Sequence, residues 1–169
     1  FHKSGVYHIK DSPKPLDRDG MTQLYLSLVK DYGLLSLEDP LDHDDWKGWT
    51  ELTRVIPEST MVIGDDLITT NAARLKQAIE QKACSAVIVK PIQNGTITET
   101  IALLEVAQDN NITTISSHRS GETNDTFIAD FAVGLGTNYA KFGAPDRGER
   151  VAKYNRLLEI DSYLSTQKL

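Results

Sequence analysis

The stretch ITTISSHRSGETNDTF, residues 112–127, decides how the chain is read. Ile112-Thr113-Thr114-Ile115 is apolar and β-branched, the pattern of a buried strand, and a helical apolar period begins near Phe127. Between them stand Ser117, His118, Arg119, Ser120 and Glu122, almost side by side. A strand ending in cationic and hydroxyl groups suits an anion. Arginine offers a planar fork of donors to phosphate or carboxylate, and serine hydroxyls with free backbone N–H groups complete the cradle. An ordinary polar loop between a strand and a helix has the same composition, so the weight falls on whether the rest of the chain repeats the plan.

It does. Upstream, Val6-Tyr7-His8-Ile9 reads as a short strand in a turn-rich segment. Asp19 is a candidate N-cap for a helix with Met21, Leu24, Tyr25, Leu28 and Val29 on one face, ended by Gly33. Leu34-Leu35-Ser36-Leu37 reads as a buried strand, stopped by Glu38-Asp39-Pro40. Asp44 or Asp45 caps a helix with Trp46, Trp49, Leu52 and Ile56 inward. The strand Met61–Gly64 ends in Asp65-Asp66, and Thr69 or Thr70 starts a helix with Ala72, Leu75, Ala78 and Ile79 inward. Ala86–Val89 is a strand ending in Lys90, followed by a Thr96-capped helix with Ile97, Ile101, Leu104 and Gln108 on one side. Downstream, Thr126 starts a helix bearing Phe127, Phe131 and Leu135, and a strand at Tyr139-Ala140 ends in Lys141. Glu149 opens a final helix with Val151, Tyr154, Leu157 and Leu158 inward.

Alternating strands and helices imply βαβ units and a parallel sheet, hence an α/β fold. The polar groups that close the strands, Glu38, Asp65, Lys90, Ser117 and Lys141, follow one another at 24 to 27 positions. In a (β/α)₈ TIM barrel such strand ends converge on one face, where the active site sits. A doubly wound open sheet is the other architecture, but its ligand site is normally confined to one switch point. Eight units at this spacing need roughly 200 residues or more. A chain of 169 residues is therefore expected to be about five units, a C-terminal portion of an incomplete barrel.

Composition narrows the partners. The formal net charge of −6 and the absence of a basic stripe argue against nucleic acid. No apolar run approaches the ~20 residues of a membrane span. Cys84 is the single cysteine, which rules out an internal disulfide and fits a reducing compartment.

Taken as one site, the strand ends imply metal-assisted chemistry on an anionic substrate. Carboxylates such as Glu38 and Asp65 are hard oxygen donors suited to Mg²⁺, although either can also simply cap a turn. A lysine leaving an apolar strand, Lys90, suits a general base, since desolvation favours its neutral amine; a salt-bridge role is the plainer reading. Arg119 and Lys141 supply positive charge. The set fits proton abstraction beside a carboxylate, with metal ions holding the resulting dianion. A Schiff-base aldolase using Lys90 or Lys141 is another enzyme class on the same frame, but it has no use for the two carboxylates.

The motifs SLEDP (36–40), GDDL (64–67), SHRSGETNDTFIAD (117–130), KFGAP (141–145) and GERVAKYNRLLEI (148–160) resemble those of the enolases, the phosphopyruvate hydratases. The resemblance runs over essentially the whole chain but corresponds to the C-terminal part of an enolase. It implies that residues 1–169 belong to the enolase TIM-barrel domain, with the first barrel strands, the N-terminal domain, a third metal carboxylate and the acid glutamates lying outside them. It implies reversible dehydration of 2-phosphoglycerate to phosphoenolpyruvate with two Mg²⁺ ions, as is general for superfamily sites that pair a lysine or histidine base with Mg²⁺. Glu38 and Asp65 then align with metal carboxylates and Lys90 with the base. Ser117 and His118 lie in the substrate loop, Arg119 and Ser120 align with phosphate contacts, and Lys141 aligns with the lysine at the substrate carboxylate. Also implied are a cytoplasmic homodimer, with a cell-surface or secreted pool, and an inactive chain when residues 1–169 stand alone. A non-catalytic enolase-like binding protein is the other reading; its one local feature is the near-terminal Lys168. Two departures stand out. The family usually reads Lys-x-Asn-Gln-Ile-Gly after the base, where this chain has Lys90-Pro91-Ile92-Gln93-Asn94-Gly95. Gly148 stands where a serine is common.

Overall fold

The structure, a computed structural model, describes residues 2–3, 5–10 and 13–167; Lys168 lies outside them. The chain divides into two compact units, Phe1–Ile68 with Ala72–Val87, and Thr69–Asn71 with Ile88–Leu169.

The first unit begins with a small antiparallel ribbon, β1 (His2–Lys3) and β2 (Val6–Tyr7). The strand expected over Val6–Ile9 is therefore only two residues long, and Tyr7 goes on to bridge Leu16. Helix α1 (Arg18–Tyr32) is capped by Asp17, whose Oδ1 accepts the Gly20 N–H at 2.8 Å, and not by Asp19, which sits in the first turn. Gly33 closes α1 in the left-handed conformation (φ 61°) that glycine adopts without steric cost. Strand β3 (Ser36–Glu38) buries Leu37 alone, while Leu35 is exposed, so the strand expected to be buried is one-sided. Asp45 caps α2 (Trp46–Val55) and also receives a bidentate Arg18 fork at 2.6 and 2.7 Å. Trp49 and Leu52 are fully buried, whereas Trp46 is covered by the Arg74 guanidinium, 5.0 Å from the ring centroid. Strand β4 (Met61–Gly64) pairs in parallel with β3, and its partner α3 (Ala72–Gln81) buries Leu75 and Ala78. The helix starts later than Thr69 or Thr70 because both hold positive φ, 49° and 52°, in the preceding turn; Ala72 is exposed. Cys84 is buried among these elements, and burial pushes its thiol up to about 12, so it packs as an inert side chain.

Strand β5 (Ala86–Val89) is fully buried, and its first half pairs in parallel with β4. In the second unit a short helical turn, α4 (Pro91–Asn94), follows Lys90 directly, with proline at its first position. Thr96 caps α5 (Ile97–Asp109): its Oγ1 accepts the Glu99 N–H and donates to the Glu99 carboxylate, which sits in the first turn. The buried face of α5 is Thr100, Leu103, Leu104 and Ala107: of the expected residues Leu104 is buried and Ile101 half-buried, whereas Ile97 and Gln108 are exposed. Thr100 can be buried there because its hydroxyl donates to the Thr96 carbonyl. Strand β6 (Thr113–Ser117) pairs in parallel with β7 (Tyr139–Lys141), and Asn138 Oδ1 accepts the Thr114 N–H at 2.9 Å to set the register. Between them α6 (Phe127–Gly134) buries Ile128, Ala129, Phe131 and Ala132. It packs on α7 (Gly148–Thr166), pinned by a bidentate Arg156–Asp130 pair. On α7, Leu158 is 69% exposed, and the one fully buried side chain of the helix is Lys153.

Candidate functional site

In the second unit the strand ends converge. Lys90, Ser117, His118, Arg119, Ser120, Lys141 and Arg150 line one pocket of about 310 Å³. Six of these seven are the residues expected from the sequence; Arg150 is an addition. Lys90 arrives there from β5, with its backbone N–H donating to Thr70 Oγ1 at 3.0 Å and Pro91 turning the chain away at once. Ser117 ends β6 in register with Lys141, which ends β7, and the ladder continues one step as the His118 N–H donates to the Lys141 carbonyl. Parallel pairing thus puts a hydroxyl and an ammonium-bearing residue at the same level. Gly143, two residues on, has φ 76°, and a Cβ there would sit 2.7 Å from Arg150 Cδ and 3.0 Å from His118 Cε1. Glycine in the KFGAP turn therefore lets α7 bring Arg150 against the loop. Tyr154 holds the turn by donating its hydroxyl to the Gly143 carbonyl.

The pocket is strongly cationic. His118 titrates below its ordinary value. Desolvation is the main cause, partly opposed by the Glu122 charge and reinforced by Arg150, Lys153 and Lys141. Its Nδ1 is buried and has no hydrogen-bond partner among the described residues. Four cationic residue types with two serine hydroxyls and an imidazole are a constellation for an anion carrying several oxygens.

The first unit carries the carboxylates. Glu38 closes β3, opposite Ile63, and Asp65 follows Gly64 at the end of the neighbouring β4. Asp65 is buried and Glu38 exposed. The residue that organises this end was not singled out from the sequence. Asp39, at φ 43°, accepts the Asp65 N–H on Oδ1 and the Asp66 N–H on Oδ2, both at 2.9 Å. Burial raises the Asp39 carboxyl above its ordinary value. Those two N–H groups pull it back, and the Asp65 and Asp66 charges push it up again. In type, the donors fit Mg²⁺, a hard cation commonly held by one or two carboxylates with retained water. Among the described residues no group of three or more His, Cys, Asp or Glu side chains is placed to hold a metal ion.

Sequence reasoning placed Glu122 in the polar cluster after β6 without giving it a role, and it missed Asp39, Arg150 and Lys153. Asp39 looked like a strand terminator. Arg150 and Lys153 belong to the polar complement of α7, where periodicity carries no signal.

Parallel strands each followed by a helix, with charged and hydroxyl side chains at their C-terminal ends, define an α/β protein of the (β/α) barrel class. The chain belongs to the enolase family: the model described as "Enolase, C-terminal TIM barrel domain" matches residues 3–168. It is 47% identical over 163 residues to a protein named enolase from Helicobacter hepaticus, covering 96% of this chain and 38% of that one. It is 48% identical over 167 residues to an enolase from Metallosphaera sedula, covering 99% and 39%. Against "Enolase 1" of Methanospirillum hungatei the identity is 44% over 167 residues, again 99% and 39%. The chain thus spans under two fifths of the length of these relatives, and β3–β7 are fewer than the eight strands of a closed barrel. No helix among the described residues is long and apolar enough to cross a membrane.

Proposed function

We propose that the whole protein is an enolase, a hydro-lyase that interconverts 2-phosphoglycerate and phosphoenolpyruvate in glycolysis and gluconeogenesis. The observation that carries this reading is the second-unit pocket, in which Lys90, Ser117, His118, Arg119, Ser120 and Lys141 come together in a chain of this family. Arg119 and Ser120 hold the substrate phosphate, the guanidinium by two parallel donors. Ser117 and His118 complete the loop around it. Lys141 meets the substrate carboxylate and fixes C2 toward Lys90, which takes the C2 proton as general base. The electron pair moves into the carboxylate, then returns to form the C2–C3 double bond as the C3 hydroxyl leaves as water. Glu38 and Asp65 are the ligands we assign to Mg²⁺, which when bound supplies positive charge against the substrate's growing negative charge. A third carboxylate and the acid for the hydroxyl are assigned to residues beyond 1–169, which we take as the C-terminal part of the barrel domain. A cytoplasmic homodimer is part of the same reading. Support for the compartment is the single cysteine, buried and unpaired in a disulfide.

The test is the rise in ultraviolet absorbance as phosphoenolpyruvate forms from 2-phosphoglycerate in the whole protein. The expected result is turnover that needs Mg²⁺ and stops with a chelator. Carbonyl-substrate trapping by borohydride, indifferent to chelator, contradicts it in favour of a Schiff-base lysine. Absence of any turnover, with retained binding of a protein partner after loss of Lys90 and Lys141, contradicts it in favour of a binding protein.

A further inference from the structure

Lys153 is fully buried, yet the proposed chemistry gives it no part. Its ammonium is enclosed by four acceptors: the carbonyls of Glu149 at 2.7 Å, Thr123 at 3.0 Å and Asp125 at 3.0 Å, and Glu122 Oε2 at 2.9 Å. Glu122 in turn accepts the Arg119 backbone N–H on its other oxygen at 2.8 Å. One buried charge on α7 is thus joined through one carboxylate to the backbone of the arginine that lines the pocket, and it holds the same loop again one and three residues beyond Glu122. The Glu122 carboxyl titrates below its ordinary value. Desolvation pushes it up, but the Lys153 ammonium, the Arg119 N–H and the His118 charge together outweigh that.

We propose that Lys153 and Glu122 are positioning residues for anion binding: the Lys153–Glu122–Arg119 chain sets where the Arg119 and Ser120 donors stand. This rests on the reading that the pocket holds a phosphate. The pairing is ill suited to a purely structural role. A buried ion pair adds little stability over an apolar pair of the same shape, but it fixes one geometry when every donor and acceptor is used, as here. Three of the four contacts lie on the loop and the fourth on the first turn of α7, so losing the pair frees the loop rather than the core.

The experiment uses the whole protein and the variants Glu122→Ala, Glu122→Gln and Lys153→Met, with three readouts: KM and kcat for 2-phosphoglycerate, Kd for inorganic phosphate, and exchange of the Arg119 amide proton. Glu122→Ala is expected to raise both KM and the phosphate Kd about ten-fold, with kcat within about two-fold, because a charge-assisted contact that orders a binding group acts on ground state and transition state alike. Its Arg119 amide is expected to exchange faster. Glu122→Gln keeps an acceptor for that amide and is expected to lie between the two. Lys153→Met leaves three carbonyls without their donor and is expected to lower stability; Glu122→Ala, on the half-buried loop, carries the test if it does not fold. Unchanged KM, phosphate Kd and amide exchange in Glu122→Ala, with a lowered melting temperature only, overturn the proposal while enolase turnover by the wild type stands. Weakened phosphate binding and faster exchange in a protein that does not turn over 2-phosphoglycerate support the positioning chain and refute the proposed activity. A wild type that neither turns over nor binds phosphate overturns both.

Discussion

Replacing Gly143 by alanine tests how the KFGAP turn builds the anion pocket. The residue sits at φ 76°, in the region where an L side chain is strained, and the left-handed conformation costs an alanine about 1–2 kcal/mol. The added Cβ also falls 2.7 Å from Arg150 Cδ, 2.8 Å from Arg150 Nε and 3.0 Å from His118 Cε1. Arg150 lies toward the end of a flexible side chain and can rotate away, so the steric part is small and appears as displacement of the guanidinium from the pocket. The turn itself cannot relax freely. Phe142 is buried edge-on against Tyr154 at 6.2 Å, and the Tyr154 hydroxyl holds the Gly143 carbonyl. The expected loss is about 2 kcal/mol, or about 4–8 °C in melting temperature for a domain of this size. Urea unfolding followed by circular dichroism measures it, with an unchanged m-value as the check that only stability has moved. Tryptophan fluorescence is unsuitable, since Trp46 and Trp49 both lie in the other unit. Because the backbone supplies most of the loss, adding Arg150→Ala to Gly143→Ala should restore little of it. Neutral or raised stability on Gly143→Ala, the outcome where alanine fits the native φ and ψ, refutes the reasoning. Full recovery in the double variant shows that the contact with Arg150, not the backbone, is what requires glycine.

Two further outcomes follow from the geometry. The His118 imidazole should titrate below the ordinary histidine value by NMR, and Glu122→Gln should lower it further, because the Glu122 charge is the one group that favours its protonated form. The sign for stability follows: with the folded pKa below the unfolded one, His118 costs nothing above about pH 6.5, and stability falls as the pH drops from there through the folded value. Thr96→Ala removes both hydroxyl contacts at the start of α5, to the Glu99 N–H and to the Glu99 carboxylate, and should cost about 1 kcal/mol in unfolding free energy, whereas Thr22→Ala inside α1, which loses only a half-buried bond to the Arg18 carbonyl, should cost less.

The strand ends were legible because each pairs a short apolar run, β-branched before Asp65, Lys90 and Ser117, with an abrupt polar residue. Parallel pairing turns that one-dimensional pattern into a shared level, as with Ser117 and Lys141. Helix caps were legible in kind and less so in position. Asp17 and Asp19 are chemically equal candidates, and only the backbone, extended at Asp17, selects between them. The α5 face was misread because Thr100 counts as polar in any periodicity, yet it buries by donating to the Thr96 carbonyl. On α7 the expected Val151, Tyr154 and Leu157 are half-buried, but Leu158 is exposed and the fully buried side chain was not foreseen. A lysine at position 153 reads as surface charge, and nothing local announces three carbonyls and a carboxylate converging on it from a loop 28 to 31 residues earlier in the chain and from its own preceding turn. The departure after Lys90 also acquires a structural meaning. Ile92 is 73% exposed on the short α4, while Gln93, which matches the usual family pattern, accepts from the Thr70 hydroxyl, so the change to isoleucine falls on the solvent side of the turn after Lys90.

The central claim is that Lys90 takes a proton from C2 of the substrate held in the second-unit pocket. The direct measurement is exchange of that proton with deuterated solvent, followed by NMR on 2-phosphoglycerate, in the whole protein and in Lys90→Ala, both with Mg²⁺. The account predicts exchange in the wild type and its loss in Lys90→Ala, with phosphate binding retained through Arg119 and Ser120. Exchange at the wild-type rate in Lys90→Ala contradicts it.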